Sequence, residues 1–255
     1  SRGDGPWQAN SGNPTLKPLE SNNFDLSWEW YPAADMYLAA AFFYKDLVNW
    51  HRAGVADFDF EPYYIEGYHQ ATDSVSGEVV TPKYFDGYTS LREDGLTGSI
   101  NGIELQASIP LNTIASFLDG FGIVASAAFN DGELDNGDAI PGMSDESYQA
   151  TIYYENNGFE VRVAATKRSD YESEQRGGSN SLVPVNRLGV TLVDAQISYD
   201  FSQSEVDLLK GLKVSLQAQN ITDEDEVNAD QLDPRKVYNY SNYGPNYLLG
   251  FNYSF

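Results

Sequence analysis

The sequence predicts an all-β protein, a transmembrane antiparallel β-barrel built from about nine strands. Three observations carry that expectation. The segment YLLGFNYSF, Tyr247 to Phe255, sets Tyr247, Leu249, Phe251, Tyr253 and Phe255 on one side of a period-two strand and Leu248, Gly250, Asn252 and Ser254 on the other. One face is aromatic or aliphatic and the other mostly small or polar, an arrangement that suits a strand solvated by lipid on one side. The same alternation recurs along most of the chain. The connections between the alternating segments are short and long in turn, as in barrels that cross an outer membrane.

Residues 1 to 21 read as a loop, punctuated by Gly3, Gly5, Pro6, Gly12, Pro14 and Pro18. The first strand is expected from about Asn22 to Tyr31, where Phe24, Leu26, Trp28 and Trp30 alternate with Asp25, Ser27 and Glu29, and Pro32 is expected to stop it. A long second strand runs from about Asp35 to Trp50. Residues 51 to about 95 form the longest irregular stretch, rich in aromatics that include Phe58, Phe60, Tyr63, Tyr64, Tyr68, Tyr84, Phe85 and Tyr88. Alternation returns over residues 100 to 109, with Ile103, Leu105, Ala107 and Ile109 on one face, and again from Phe121 to Asn130. The segments Tyr148 to Glu155 and Phe159 to Thr166 flank Asn156-Asn157-Gly158, a hairpin turn that needs positive φ. Val193 to Phe201 and Leu212 to Gln219 precede the terminal strand.

Short connections fall near Pro32, at Leu111 to Asp119, at Asn156-Asn157-Gly158 and at Ser202 to Gly211. Long ones fall near 51–95, 131–147, 172–189 and 223–236. With the short turns in the periplasm, the long loops and residues 1–21 are extracellular and Phe255 ends in the periplasm. A first strand that descends from outside, and an odd count of nine, lead to the expectation that residues 1–255 are the C-terminal portion of a larger barrel, with the strands and their long loops over 22–255.

The 255 residues carry 38 acidic and 15 basic side chains, a net charge of -23, which excludes nucleic acid as an expected partner. Most of that charge lies in the long loops, as solvated surface or as oxygen ligands for Ca²⁺ or Mg²⁺ beside lipopolysaccharide. Cysteine is absent, which removes thiolate chemistry and Cys-based metal sites. No apolar run is long enough for a transmembrane helix. The opening SRGDGPWQAN has no signal-peptide core, and a mature or truncated chain reads the same way. Catalysis is not expected. His51 and His69 are the only histidines and make a poor metal pair, and DGELDNGD, Asp131 to Asp138, lacks the glycine placement of an EF-hand. There is no G-x-S-x-G motif and no phosphate loop.

The segments GNPTLKPLESNNFDLSWEWYP, AFFYKDLVNW, GSINGIELQASIPL, LDGFGIVASAAFND, IPGMSDESYQATIYYENNGFEVRVAATKRSDY, LVDAQISYDF, LKVSLQAQNITDE and YLLGFNYSF, in this order, resemble TonB-dependent outer-membrane receptors over nearly the whole chain. The resemblance implies a 22-stranded barrel of the bacterial outer membrane, of which these residues supply the last nine strands. It implies partners that lie outside them, an N-terminal plug and barrel portion and, through it, the TonB complex. Outer-membrane lipid and lipopolysaccharide would surround the wall. It further implies energised uptake of a scarce small-molecule nutrient such as a siderophore, cobalamin or an oligosaccharide. Tyr63, Tyr64, Tyr68, Tyr84 and Tyr88 are expected ligand-stacking residues of the loops, with loop packing as the plainer role. Trp28, Trp30, Tyr253 and Phe255 are expected girdle aromatics at the membrane interface. A soluble β-rich glycan-binding module and a passive or structural outer-membrane barrel are the alternatives.

Overall fold

The computed structural model describes residues 7–69, 71–72, 75–80, 85–176 and 182–254. Its strands are β1 (Trp7–Asn10), β2 (Glu20–Ala33), β3 (Met36–Asp59), β4 (Ala71–Thr72), β5 (Val79–Val80), β6 (Asp86–Pro110), β7 (Phe121–Leu134), β8 (Glu146–Asn156), β9 (Phe159–Arg168), β10 (Tyr171–Arg176), β11 (Leu182–Arg187), β12 (Val190–Asp200), β13 (Leu212–Gln219), β14 (Glu226–Ala229), β15 (Val237–Ser241) and β16 (Asn246–Tyr253). The main sheet runs β16-β13-β12-β9-β8-β7-β6-β3-β2, nine strands in sequence order, with β1 added to β6. The sheet is open, a part of a barrel wall.

Register explains why the sheet has two chemistries. Phe121, Tyr154, Val161, Ile197, Leu216 and Leu249 stand opposite one another in turn across six strands. One residue along, the row is Gly122, Tyr153, Arg162, Gln196, Gln217 and Leu248. Because side chains alternate between faces, the first row lies on an apolar face and the second on a largely polar one. The apolar face stays open to the surroundings: Leu216 is 48% exposed and Phe251 69%. Such a face is stable in lipid and not in water.

Compact units divide the chain. One gathers Ser1–Ser21, Leu47–Gly98 and Gln175–Val183, and the other gathers Asn22–Asp46, Ser99–Glu174 and Pro184–Phe255. In the first, Leu47 and Phe60 are buried; in the second, Leu134, Ile140, Val185 and Ala229 are.

Several expected boundaries shift. The stretch 51–95 is not all loop, since β3 continues to Asp59 and β6 begins at Asp86, with Phe60 N bonded to Phe85 O at 2.9 Å. Strand pairing carries on past the end of the hydrophobic alternation, because the ladder is a backbone interaction. Pro32 does not stop β2, which reaches Ala33. β2 is the edge strand, where a proline nitrogen facing outward breaks no ladder bond. Residues 7–10, read as loop, pair in parallel with residues 87–90. The loops near 172–189 and 223–236 contain strands of a small second sheet, ordered β10-β11-β14-β15. The turn at Asn157-Gly158 has the expected positive φ, 50° and 80°.

Candidate functional site

A barrel wall acts through its polar face and its loops, and both are built from local sequence. On the polar face, Lys213 Nζ reaches both carboxylate oxygens of Glu160 at 2.9 and 3.0 Å, and Ser198 Oγ donates to the same carboxylate at 2.7 Å. Gln217 donates to Gln196 at 3.3 Å. Gly122 leaves room for the ring of Tyr153, which lies where a Cβ would stand. Beside it, at the end with the short connections, a concavity of about 530 Å³ is lined by Asp119, Tyr153, Glu155, Glu160 and Asp200. This surface can accept hydrogen bonds and hold basic or polar groups.

At the other end, the connection from β7 to β8 is tied down by Arg168. Its guanidinium donates to Ser144 Oγ and Gly142 O and stacks over Tyr171, 3.8 Å from the ring centroid. Arg187 joins the small sheet, donating to Asn228 Oδ1 at 3.1 Å and to Tyr171 OH at 3.0 Å. The Tyr171 hydroxyl holds the Arg187 guanidinium above its ordinary range. In the last connection, Asp230 accepts from Lys236 Nζ at 2.9 Å, Tyr238 OH at 2.7 Å and the amides of Leu232 and Asp233. Lys236, then Tyr238, hold the Asp230 carboxyl well below the usual carboxylate range. Asp225 accepts from Tyr240 OH at 2.7 Å and from Asn242. Asp225 and Asp230 are therefore satisfied by donors of the same connection, while Glu224 accepts from Thr191 N of β12 and Glu226 pairs with Arg187 of β11. Among the described residues, no three His, Cys, Asp or Glu side chains gather as metal ligands.

Part of the aromatic stretch packs around Trp7. Trp7 stacks on Phe60 at 6.0 Å and contacts Tyr64, His69 and Phe85 at 6.5, 5.7 and 6.0 Å. Tyr64 is thus part of a packed cluster, and its hydroxyl is buried. Tyr68 is 78% exposed and Tyr63 63%, each with a ring neighbour, His69 and Phe58. Tyr88 is half-buried in β6, opposite Gln8. Tyr84 lies outside the described residues. Of the four described tyrosines, Tyr63 and Tyr68 are the two that present open rings. Trp7 is the partner that the sequence does not announce; it sits far from the others along the chain, and nothing local signals the parallel pairing that brings it in. His51 Nε2 meets Lys17 O at 2.6 Å, and His69 Nδ1 accepts from Ile65 N at 2.9 Å, so each ring is engaged separately.

Of the expected girdle residues, Trp28 and Trp30 stand exposed on β2, rings 6.4 Å apart. Tyr253 is 39% exposed and donates to Leu208 O at 3.0 Å. Phe255 lies outside the described residues.

Residues 2–221 match the family described as TonB dependent receptor-like, beta-barrel. No curated protein is similar enough in sequence to count as a match. Among solved structures, the fold is similar to the pyoverdine outer membrane receptor FpvA from Pseudomonas aeruginosa PAO1 bound to pyoverdine, with TM-score 0.58 and 16% identity over 98% of this chain and 32% of that one. It is similar also to the ferric citrate transporter FecA in the unliganded form, with TM-score 0.57 and 16% identity over 92% of this chain and 31% of that one. A third likeness is to FpvAI in complex with pyocin S2, with TM-score 0.57 and 13% identity, covering 93% of this chain and 27% of that one. The chain spans about a third or less of these receptors.

Proposed function

The chain belongs to the TonB-dependent receptor family as part of its β-barrel, and on that premise we propose that it forms one section of the wall and outer loops of a bacterial outer-membrane receptor that takes up a scarce nutrient at the expense of TonB-delivered energy. The carrying observation is the register that separates an apolar face from a polar one across six strands. The apolar face meets lipid. The polar face turns inward to a plug and to the ligand's path. The long connections lie outside the cell and the short ones in the periplasm.

Loop chemistry bears on the ligand. Open tyrosine rings at Tyr63 and Tyr68 suit stacking against sugar rings, and the acidic outer loops would repel an anionic ferric complex. Segment 131–147 holds six acids and no Lys or Arg. These features favour a neutral polyhydroxylated ligand, an oligosaccharide. Ligands named for the similar structures, pyoverdine and ferric citrate, support a siderophore-type ligand as the second reading. Loop-bound Ca²⁺ is a further part of the proposal; calorimetry with CaCl₂ on the detergent-purified protein should show binding, and a flat titration removes it.

Uptake by whole cells tests the main reading. Labelled oligosaccharides and ferric siderophores should be compared in cells with and without the receptor, each with and without a protonophore. Receptor-dependent uptake of an oligosaccharide that the protonophore abolishes is expected. Uptake that ignores the protonophore would overturn energised transport and leave a passive barrel.

A further inference from the structure

Tyr171 opens β10, and both its ring and its hydroxyl are engaged. The guanidinium of Arg168 lies over the ring, 3.8 Å from the centroid. The hydroxyl accepts from Nη1 of Arg187 at 3.0 Å. Each arginine then reaches a different connection. Arg168 donates to Gly142 O and Ser144 Oγ, between β7 and β8. Ser144 is buried, and its hydroxyl donates onward to Ser169 O at 3.2 Å. Arg187 donates to Asn228 Oδ1 at 3.1 Å and stands 3.8 Å from the Glu226 carboxylate, both on β14 between β13 and β16. Three connections that are far apart in sequence, at 142–144, 171–187 and 226–228, thus meet through one side chain.

Backbone contacts follow the same route but are sparse. Gly142 N donates to Glu172 O at 2.7 Å, and Leu188 N to Val227 O at 3.0 Å. Among the described residues, β11 pairs with β14 over two positions, Asn186 with Ala229 and Arg187 with Asn228. A ladder that short is marginal by itself. Hydrogen bonds from a guanidinium are stronger than neutral ones, and a guanidinium over an aromatic face adds to them. Side chains therefore decide whether the three segments hold together, and losing one link loosens its neighbours as local cooperative opening. We propose that Tyr171 couples the three connections into one cooperative unit, so that they order and loosen together. By the reciprocity of coupling, a group that grips any one of them also orders the other two. Tyr171 is a positioning residue in this unit, acting through Arg168 and Arg187.

Hydrogen exchange in the intact receptor, purified in mild detergent, tests the coupling. Asn228→Ala removes an acceptor of Arg187 and lies outside residues 139–146. It should speed exchange within 226–229 about tenfold, the worth of one charge-assisted hydrogen bond. It should also speed exchange within 139–146 about threefold, a distant response that a purely local role would not produce. In a Tyr171→Leu background, the same Asn228→Ala change should leave 139–146 as it was. Tyr171→Phe keeps the ring under Arg168 and removes the hydroxyl. It should uncouple the segments in the same way, and it serves where Tyr171→Leu fails to give a heat-modifiable barrel. Unchanged exchange within 139–146 in Asn228→Ala overturns the proposal, whether or not 226–229 responds. Transmission that persists in the Tyr171 variants overturns it as well, and assigns the coupling to the backbone ladder.

Discussion

Asp230 shows how a strongly acidic loop can be ordered by its own residues. One carboxylate takes a lysine, a tyrosine and two amides. Lys236 in turn is held above its ordinary range, by Tyr238 first and then by Asp230. The sign of the linkage follows. A carboxylate depressed by folding contributes order above its unfolded pKa, about 3.9, and loses that contribution as pH falls through its lower folded value. A raised lysine contributes below about 10.4 and loses it as pH rises through its higher folded value. The connection 230–238 should therefore be most ordered between those limits and loosen in acid. Asp230→Asn should exchange the amides of Leu232, Asp233 and Lys236 several times faster at pH 7, after correction for intrinsic rates. It should also lose most of the further loosening that the wild type shows on acidification from pH 5 to pH 3. Unchanged protection in Asp230→Asn would show that the loop is ordered by its backbone alone.

Elements reveal a second device, the crossing of residues 11–18 over the hairpin of β3 and β6. Asn13 donates to Arg92 O at 2.9 Å, and Asn49 donates to Pro18 O and accepts from Gly95 N, both at 2.6 Å. Asn49 is buried but Pro18 and Gly95 are exposed, so Asn49→Ala removes two hydrogen bonds whose remaining groups can turn to water, at about 0.5–1.5 kcal/mol for each. Limited proteolysis should then cut within residues 11–18 at least tenfold faster, while β7–β9 remain protected. Equal cutting rates would deny Asn49 that role. None of this was legible in the sequence, because Asn49 sits in an ordinary alternating strand and its partners are 31 and 46 residues away. By contrast, the hairpin at Asn157-Gly158 was legible to the residue, since its requirement for positive φ is local. The wall strands were legible for the same reason, because alternation is written into each strand separately. Boundaries failed where pairing outran alternation, at 51–59 and 86–95. The loop tyrosines illustrate the remaining limit. Composition marked Tyr63, Tyr64 and Tyr68 as equivalents, and packing against Trp7, which no local pattern announces, makes Tyr64 interior and leaves Tyr68 open.

At the scale of the molecule, the decisive fact is that the nine-stranded path has two ends. Among the described residues, β2 and β16 each pair on one side only. In hydrocarbon an unpaired strand edge has no water to satisfy its amides and carbonyls, so an open sheet of this kind cannot stand alone in a bilayer. In water the same edges, flanked by an apolar face with residues such as Phe24 at 58% and Leu249 at 63% exposure, are templates for edge-to-edge association. A net charge of -23 opposes association through long-range repulsion, but repulsion is screened within about 10 Å at 0.1 M salt, and strand pairing acts at contact. Short-range pairing should therefore win. Residues 1–255, of 28.3 kDa, refolded by themselves into detergent, should run as a ladder of oligomers without the heat-modifiable shift of a closed barrel, more so as salt is raised. Further strands pairing with β2 and β16 should abolish both effects. A monodisperse, heat-modifiable monomer of residues 1–255 would mean that β2 and β16 close on each other, and the wall would then be complete with nine strands.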